Sequence, residues 1–259
     1  MFDTCSKDVT SPSERRQLER PARSSALVSV VIPTLNEASN LPHVFARLPH
    51  EQLFEVILVD GHSTDDTVAI ARSLCPSVRV ITQDGAGKGE ALACGFAAAR
   101  GHIIVMLDAD GSTDPAEIPS YLDRLFDGAD LAKGSRFMRG GASTDITPVR
   151  RAGNRGLNAV VNLLFGTKYT DLCYGYNAFW ADVLPSIDVD CDGFEVETMI
   201  NVRAAKAGLS VAEVPSVEAE RIHGVSKLHP IRDGLRVLRT IFSERFAPAG
   251  ARMTLAPSR

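Results

Sequence analysis

Four short apolar runs separated by helical stretches constrain this chain more than any other feature. They are "ALVSVVIP" (26–33), "FEVILVD" (54–60), "VRVIT" (78–82) and "HIIVMLD" (102–108). Each is rich in Val and Ile and breaks off at polar or turn residues, the pattern of strands buried on both faces of a parallel sheet. Between them the apolar positions shift to helical spacing. Leu41, Val44, Phe45 and Leu48 recur at i, i+3, i+4 and i+7. "STDDTVAIARSL" opens on capping residues. "GEALACGFAAARG" is Ala-rich and stops at Gly101, expected as a C′ glycine. The first 110 residues therefore read β-α-β-α-β-α-β. Right-handed crossovers turn that order into a Rossmann-like sheet, where ligands bind beyond the carboxyl ends of the strands. Those ends are 33–37, 60–65 and 108–110, and all carry acids.

The second half is more mixed. A helix is expected over 149–165, strands at 174–180 and 209–217, and a helix over 194–208. The stretch 229–246 reads as an amphipathic helix, with Ile231, Leu235, Leu238 and Phe242 on one side and four arginines elsewhere. That pattern suits a packing helix or one lying on a membrane surface; Asp233 and Glu244 dilute its positive charge.

Composition narrows the function classes. With 259 residues, 44% hydrophobic, one large α/β domain has material for its core. A net charge of −4 lacks the basic footprint of nucleic-acid binding. Five cysteines (5, 75, 94, 173 and 191) show no C-x-x-C, and fit small buried residues in a reducing cytosol. Residues 1–25 are polar, have no secretory h-region and read as a disordered tail; 247–259 read as another. No run approaches the roughly 18 apolar residues of a membrane span.

In "VMLDADGSTDP" (105–115) a buried strand ends in Asp108 and Asp110. Carboxylates two apart in a turn can converge on one point. Mg²⁺ is commonly held by one or two carboxylates plus substrate phosphates. A solvated capping loop is the other reading; it accounts for Asp114-Pro115 but not for Asp108 directly after "IIVML". "GAGKGE" (85–90) is no P-loop, because Gly follows Lys88, and it follows the third strand. No H-E-x-x-H or G-x-S-x-G occurs.

"VSVVIPTLNEASNL", "ILVDGHSTDDT", "GKGEALACGFAAARG", "VMLDADGSTDP", "AKGSRF", "DLCYGYNAF" and "RIHGVSK" occur in that order. The set resembles the family 2 glycosyltransferases of GT-A fold, nearest the dolichyl-phosphate mannose synthase and polyprenyl-phosphate glycosyltransferase branch, over residues 27–242. The resemblance implies an α/β GT-A fold, a Rossmann-like, mostly parallel sheet flanked by helices, in a single domain (26–246). Its nucleotide-sugar half is 26–112 and its acceptor half 113–246.

By the same resemblance, Pro33, Glu37 and Asp60 hold the nucleotide. Here Gly61 and His62 stand where the family often has Asp-Gly. Asp108 and Asp110 bind Mg²⁺ or Mn²⁺ against the donor diphosphate, with Lys88 near it and His223 a further candidate ligand. Ser112 replaces the branch's frequent Gln. Arg221, Ser226 and Lys227 fold over the diphosphate. Arg136 and Arg150, with Asn154 in place of Ser, receive the acceptor phosphate.

The implied reaction is an inverting hexose transfer from a UDP- or GDP-sugar to polyprenyl phosphate, at the cytoplasmic side and with peripheral membrane contact through 229–246. A lipid phosphate needs positioning cations, whereas a soluble hydroxyl acceptor needs a general base. Asp171 is the candidate base; a capping or ordering role is its alternative. Glu195 and Glu197 are further acids, facing different ways on a helix.

Overall fold

The computed structural model describes residues 17, 19–225 and 229–247. The strands form where the apolar runs predict them. β1 (Val28–Thr34) leads through α1 (Leu41–Phe45) to β2 (Glu55–Asp60). α2 (Thr67–Leu74), β3 (Arg79–Thr82), α3 (Lys88–Ala98) and β4 (Ile103–Met106) follow. These strands are parallel, in the order β3-β2-β1-β4. Their residues alternate between two cores: Val30, Ile32, Leu58 and Val105 pack on one face, and Val31, Ile57, Val59 and Met106 on the other.

After α4 (Ile118–Phe126) come β5 (Leu131–Ser135), the short β6 (Ala142–Ser143) and α5 (Pro148–Phe165). The chain continues through β7 (Asn177–Trp180), α6 (Leu184–Ile187), α7 (Val196–Lys206), β8 (Val211–Pro215) and β9 (Val217–Glu218) to α8 (Pro230–Phe246). β7 runs antiparallel between β4 and β5, and β8 adds in parallel beyond β5. The result is a mostly parallel sheet covered by helices on both faces, in one domain.

Three expectations change. α3 ends at Ala98, and Ala99 is already extended, so Gly101 is not its C′ glycine. Gly101 instead allows close approach, since a Cβ there would stand 2.8 Å from the Leu27 carbonyl. The expected N-terminal tail is narrower, because Arg20 pairs with Asp130 at 2.8 Å and Asp182 at 3.0 Å and lies over Trp180. Residues 1–16 and 18 of that tail, and 248–259, lie outside the described residues. Third, α8 turns its face around. Asp233, Val237, Thr240, Ile241 and Glu244 are buried, while Ile231, Leu235 and Phe242 are exposed. Val237 and Ile241 join Val161 and Val202 in a third core.

Candidate functional site

A cleft of about 1210 Å³ opens across the carboxyl ends of β1 and β4 and runs between α5 and α8. Of the expected residues, Pro33, Glu37, Lys88, Asp108, Asp110, Arg136, Arg150, Asn154 and Arg221 line it. Residues as far apart in sequence as Pro33 and Arg221 thus meet at one place, because parallel crossovers bring the carboxyl ends of successive strands to the same edge.

At the β4 end of the cleft, each of the paired carboxylates has its own cation. Lys88 Nζ lies 2.6 Å from Asp108 and 2.7 Å from Glu197. Burial alone would lower the Lys88 ammonium, but the two carboxylates outweigh it and keep Lys88 charged. Burial pushes the Glu197 carboxyl up; Lys88 opposes and Asp108 adds, leaving it above the ordinary range. Arg221 bridges Asp110 at 2.8 Å and Glu37 at 3.1 Å. The second oxygen of Asp110 accepts from the Ser112 amide at 2.9 Å and hydroxyl at 2.7 Å, so Ser112 locks the turn. Gly111, at φ 76°, gives that turn its left-handed residue. Gly175 leaves room for the charges: a Cβ there would stand 2.7 Å from Asp108 Oδ2 and 2.8 Å from Lys88 Nζ.

Two carboxylates of hard oxygen donors suit a divalent cation shared with substrate phosphates. Among the described residues no group of three or more His, Cys, Asp and Glu is gathered for a metal. His223 is accordingly not brought to Asp108 and Asp110. Its amide donates to Asn40 Oδ1 at 3.0 Å, its carbonyl accepts from Asn40 Nδ2, and its ring faces His43 at 5.7 Å. Ser226 and Lys227 lie outside the described residues.

Beyond β2, Asp60 is buried and accepts from the Ser63 amide at 3.2 Å, while its neighbour Gly61 lines the cleft. His62 keeps a left-handed backbone at φ 65° where the family often has Gly. The sequence reading missed Gln83, which lines the cleft beside Gly61 and donates from Nε2 to the Gly85 carbonyl at 3.0 Å. Its signal was position alone, the first residue after β3.

At the α5 end of the cleft, Asp171, the candidate general base, is fully buried. Arg136 holds both its oxygens, and Asn154 Nδ2 donates to Oδ1 at 2.8 Å. Burial alone would raise the Asp171 carboxyl, but Arg136, with Lys133 behind it, holds it below the usual carboxylate range. Arg136 spends its third nitrogen on Glu218, another residue the sequence reading missed, at 3.0 and 3.1 Å. Arg150 pairs with Asp145 at 2.8 Å. Glu195 and Glu197 do face apart: Glu197 lines the cleft and Glu195 does not. Ile146, Val149 and Leu157 wall this end beside the arginines.

Residues 29–187 match the family model of glycosyl transferase family 2. The chain is 37% identical over 233 residues to the polyprenol monophosphomannose synthase of Mycolicibacterium smegmatis, covering 84% of this chain and 88% of that one. It is 35% identical over 214 residues to glycosyltransferase AglJ of Haloferax volcanii, covering 80% and 68%. Among solved structures it resembles glucosyl-3-phosphoglycerate synthase of Mycobacterium tuberculosis in complex with Mn²⁺, UDP and glucosyl-3-phosphoglycerate. That likeness has a TM-score of 0.70 at 25% identity, covering 87% and 82% of the two chains.

Proposed function

The chain belongs to glycosyl transferase family 2 and is a glycosyltransferase of GT-A fold, and we propose that it moves a hexose from a UDP- or GDP-sugar to polyprenyl phosphate. The observation that carries this reading is a single cleft with the Asp108–Asp110 turn at one end and Arg136, Arg150 and an apolar wall at the other. The donor half is 26–112 and the acceptor half 113–246. Relatives named for polyprenol monophosphomannose synthesis and undecaprenyl-phosphate mannosyl transfer support the acceptor class.

In this reading Asp108 and Asp110 hold Mg²⁺ or Mn²⁺ together with the donor diphosphate. When bound, the cation offsets the charge that collects on the leaving group. Lys88 and Arg221 already stand on those carboxylates and turn to the diphosphate as it departs. The base rests against Gly61 and Gln83. A lipid phosphate is anionic near neutral pH and attacks without a base, so Arg150 and the cleft edge of Arg136 orient it. The alternative, a soluble hydroxyl acceptor, needs a base in reach. Asp171, buried and gripped by Arg136, serves that reading poorly. The enzyme acts peripherally, on the cytoplasmic face. Among the described residues no helix is long and apolar enough to cross a membrane.

The test is a product assay. Purified protein receives UDP-glucose, UDP-N-acetylglucosamine or GDP-mannose with Mg²⁺ or Mn²⁺ and a short polyprenyl phosphate, and mass spectrometry looks for glycosylated lipid. Lipid product that vanishes in Asp110→Ala and Arg136→Ala supports the reading. Donor hydrolysis without lipid product under any condition overturns the acceptor class and keeps the enzyme class.

A further inference from the structure

Most cations of the cleft are already committed. Among the described residues Lys88, Arg136, Arg150, Arg221, Arg232 and Arg236 line it. Lys88 and Arg221 each stand on two carboxylates, Arg150 on Asp145, and Arg232 on Asp233 at 3.3 Å. Arg136 lies between Asp171 and Glu218. Arg236 is exposed and has no hydrogen-bond or ion-pair partner among the described residues.

That distribution matters for a phosphate monoester, which carries a charge of about −1.5 to −2 near neutral pH. Arg136 with its two carboxylates forms a group of net negative charge, and Arg150 with Asp145 a neutral one. Both can orient a phosphate, but neither offsets its charge. An uncommitted guanidinium does, through paired N–H groups that match phosphate oxygens.

Arg236 is also in place. It reaches from α8 to Gly193, where a Cβ would stand 2.8 Å from Arg236 Nη1 and 2.5 Å from Glu195 Oε2. That carboxylate oxygen is buried and has no hydrogen-bond partner. Glu195 therefore draws the guanidinium to this part of the wall without closing a bond that would consume it. The loop carrying Gly193 is pinned to the start of α3, because the Gly89 amide donates to the Asp192 carbonyl at 3.0 Å. Lys88 stands in that same first turn, on Asp108. One short loop thus joins Arg236 to the proposed donor site, where an attacking phosphate has to come.

We infer that Arg236 binds the phosphate of the acceptor, with Gly193 as the residue that lets its guanidinium lie against the wall. The inference deepens the polyprenyl-phosphate reading and rests on it.

The test is binding, measured by isothermal titration calorimetry on the full chain without any nucleotide sugar. Farnesyl phosphate is the acceptor probe, titrated into the protein alone and with GDP or UDP and Mn²⁺ present. GDP and UDP with Mn²⁺ are also titrated by themselves. Arg236→Gln is expected to raise the farnesyl phosphate Kd about tenfold or more. Nucleotide affinity and Tm stay unchanged, since this side chain is exposed already. Arg236→Lys recovers part of the loss, restoring the charge without the fork. Gly193→Ala pushes Arg236 off the wall and raises the same Kd, with no further rise in the Arg236→Gln background. Wild-type farnesyl phosphate affinity in Arg236→Gln overturns the inference and leaves the polyprenyl-phosphate reading standing. A loss confined to GDP or UDP overturns it as well, because the arginine then serves the donor diphosphate. A wild type that binds GDP or UDP but no farnesyl phosphate overturns the acceptor class, and the inference with it.

Discussion

Arg136 grips Asp171 side-on, Nε to Oδ2 at 2.7 Å and Nη2 to Oδ1 at 2.9 Å, with both side chains buried. A guanidinium held this way has one orientation. Glu218 fixes its remaining nitrogen, and Asn154 completes the shell of Asp171. The carboxylate is thus a positioning residue for Arg136.

Asp171→Ala leaves the cation with Glu218 alone in a buried setting. Breaking such a pair from one side costs about 3 kcal/mol or more, read as a lowered urea midpoint. Residual activity in Asp171→Asn should keep the wild-type pH profile while the acceptor KM rises. Loss of the acid limb of that profile would assign Asp171 the proton transfer instead.

Metal removal separates the two carboxylates of the turn from ordinary loop acids. Chelation with EDTA is expected to abolish turnover, and Mn²⁺ or Mg²⁺ to restore it. In Asp110→Asn, Arg221 loses one of its two charged partners, keeping Glu37, and the proposed cation loses a ligand. Activity falls by about 100-fold or more, and the Mn²⁺ concentration for half-activity rises. Unchanged metal dependence in this variant would remove Asp110 from the proposed site.

Gly175 tests how tightly the charges at the donor end are set. A Cβ at this position would stand 2.7 Å from Asp108 Oδ2, 2.8 Å from Lys88 Nζ and 3.3 Å from Glu197 Oε1. Gly175→Ala therefore pushes Asp108 and Lys88 apart. Misplacement on the order of 1 Å costs roughly 100-fold in rate. The expected outcome is that loss in kcat/KM. An active Gly175→Ala would mean that the Lys88–Asp108 pair opens freely.

β1, β2 and β4 were legible because they are buried on both faces, which writes an uninterrupted apolar run, and the half-buried edge strand β3 keeps a shorter one. β5 was not, since "LAKGS" puts a lysine and a glycine in a buried strand. Lys133 is accommodated there by Glu213 at 3.3 Å and by the Asp171 carbonyl. Its partners lie 38 and 80 residues away, where no local pattern reaches. The same reason hid the orientation of α8. Periodicity located the helix, but Arg203 and Lys206, which draw Glu244 inward, sit on a different helix. At the site, Asp108, Asp110 and Arg136 were readable as motif positions. The burial of Asp171 and the Glu218 clamp were not, because both depend on where Arg136 ends in three dimensions.

Glu55 yields a prediction at the far edge of the sheet, away from the chemistry. Its carboxylate accepts from the Ser29 hydroxyl at 2.7 Å, the Arg100 amide at 2.8 Å and the Arg79 guanidinium at 2.5 Å. Burial alone would raise this carboxyl; the Arg100 amide, Ser29 and the two guanidinium groups outweigh burial and bring it down to about 2. A carboxyl depressed in the folded state adds stability above its unfolded value, and that stability fades as pH falls through the folded one. Allowing for the exposure of Arg100, Glu55→Gln should cost about 2 kcal/mol at neutral pH. The gap between variant and wild type narrows below about pH 4. Urea unfolding of both proteins between neutral pH and pH 3 measures it. A gap that stays constant across that range would mean that Glu55 stabilises the fold through shape and not through charge.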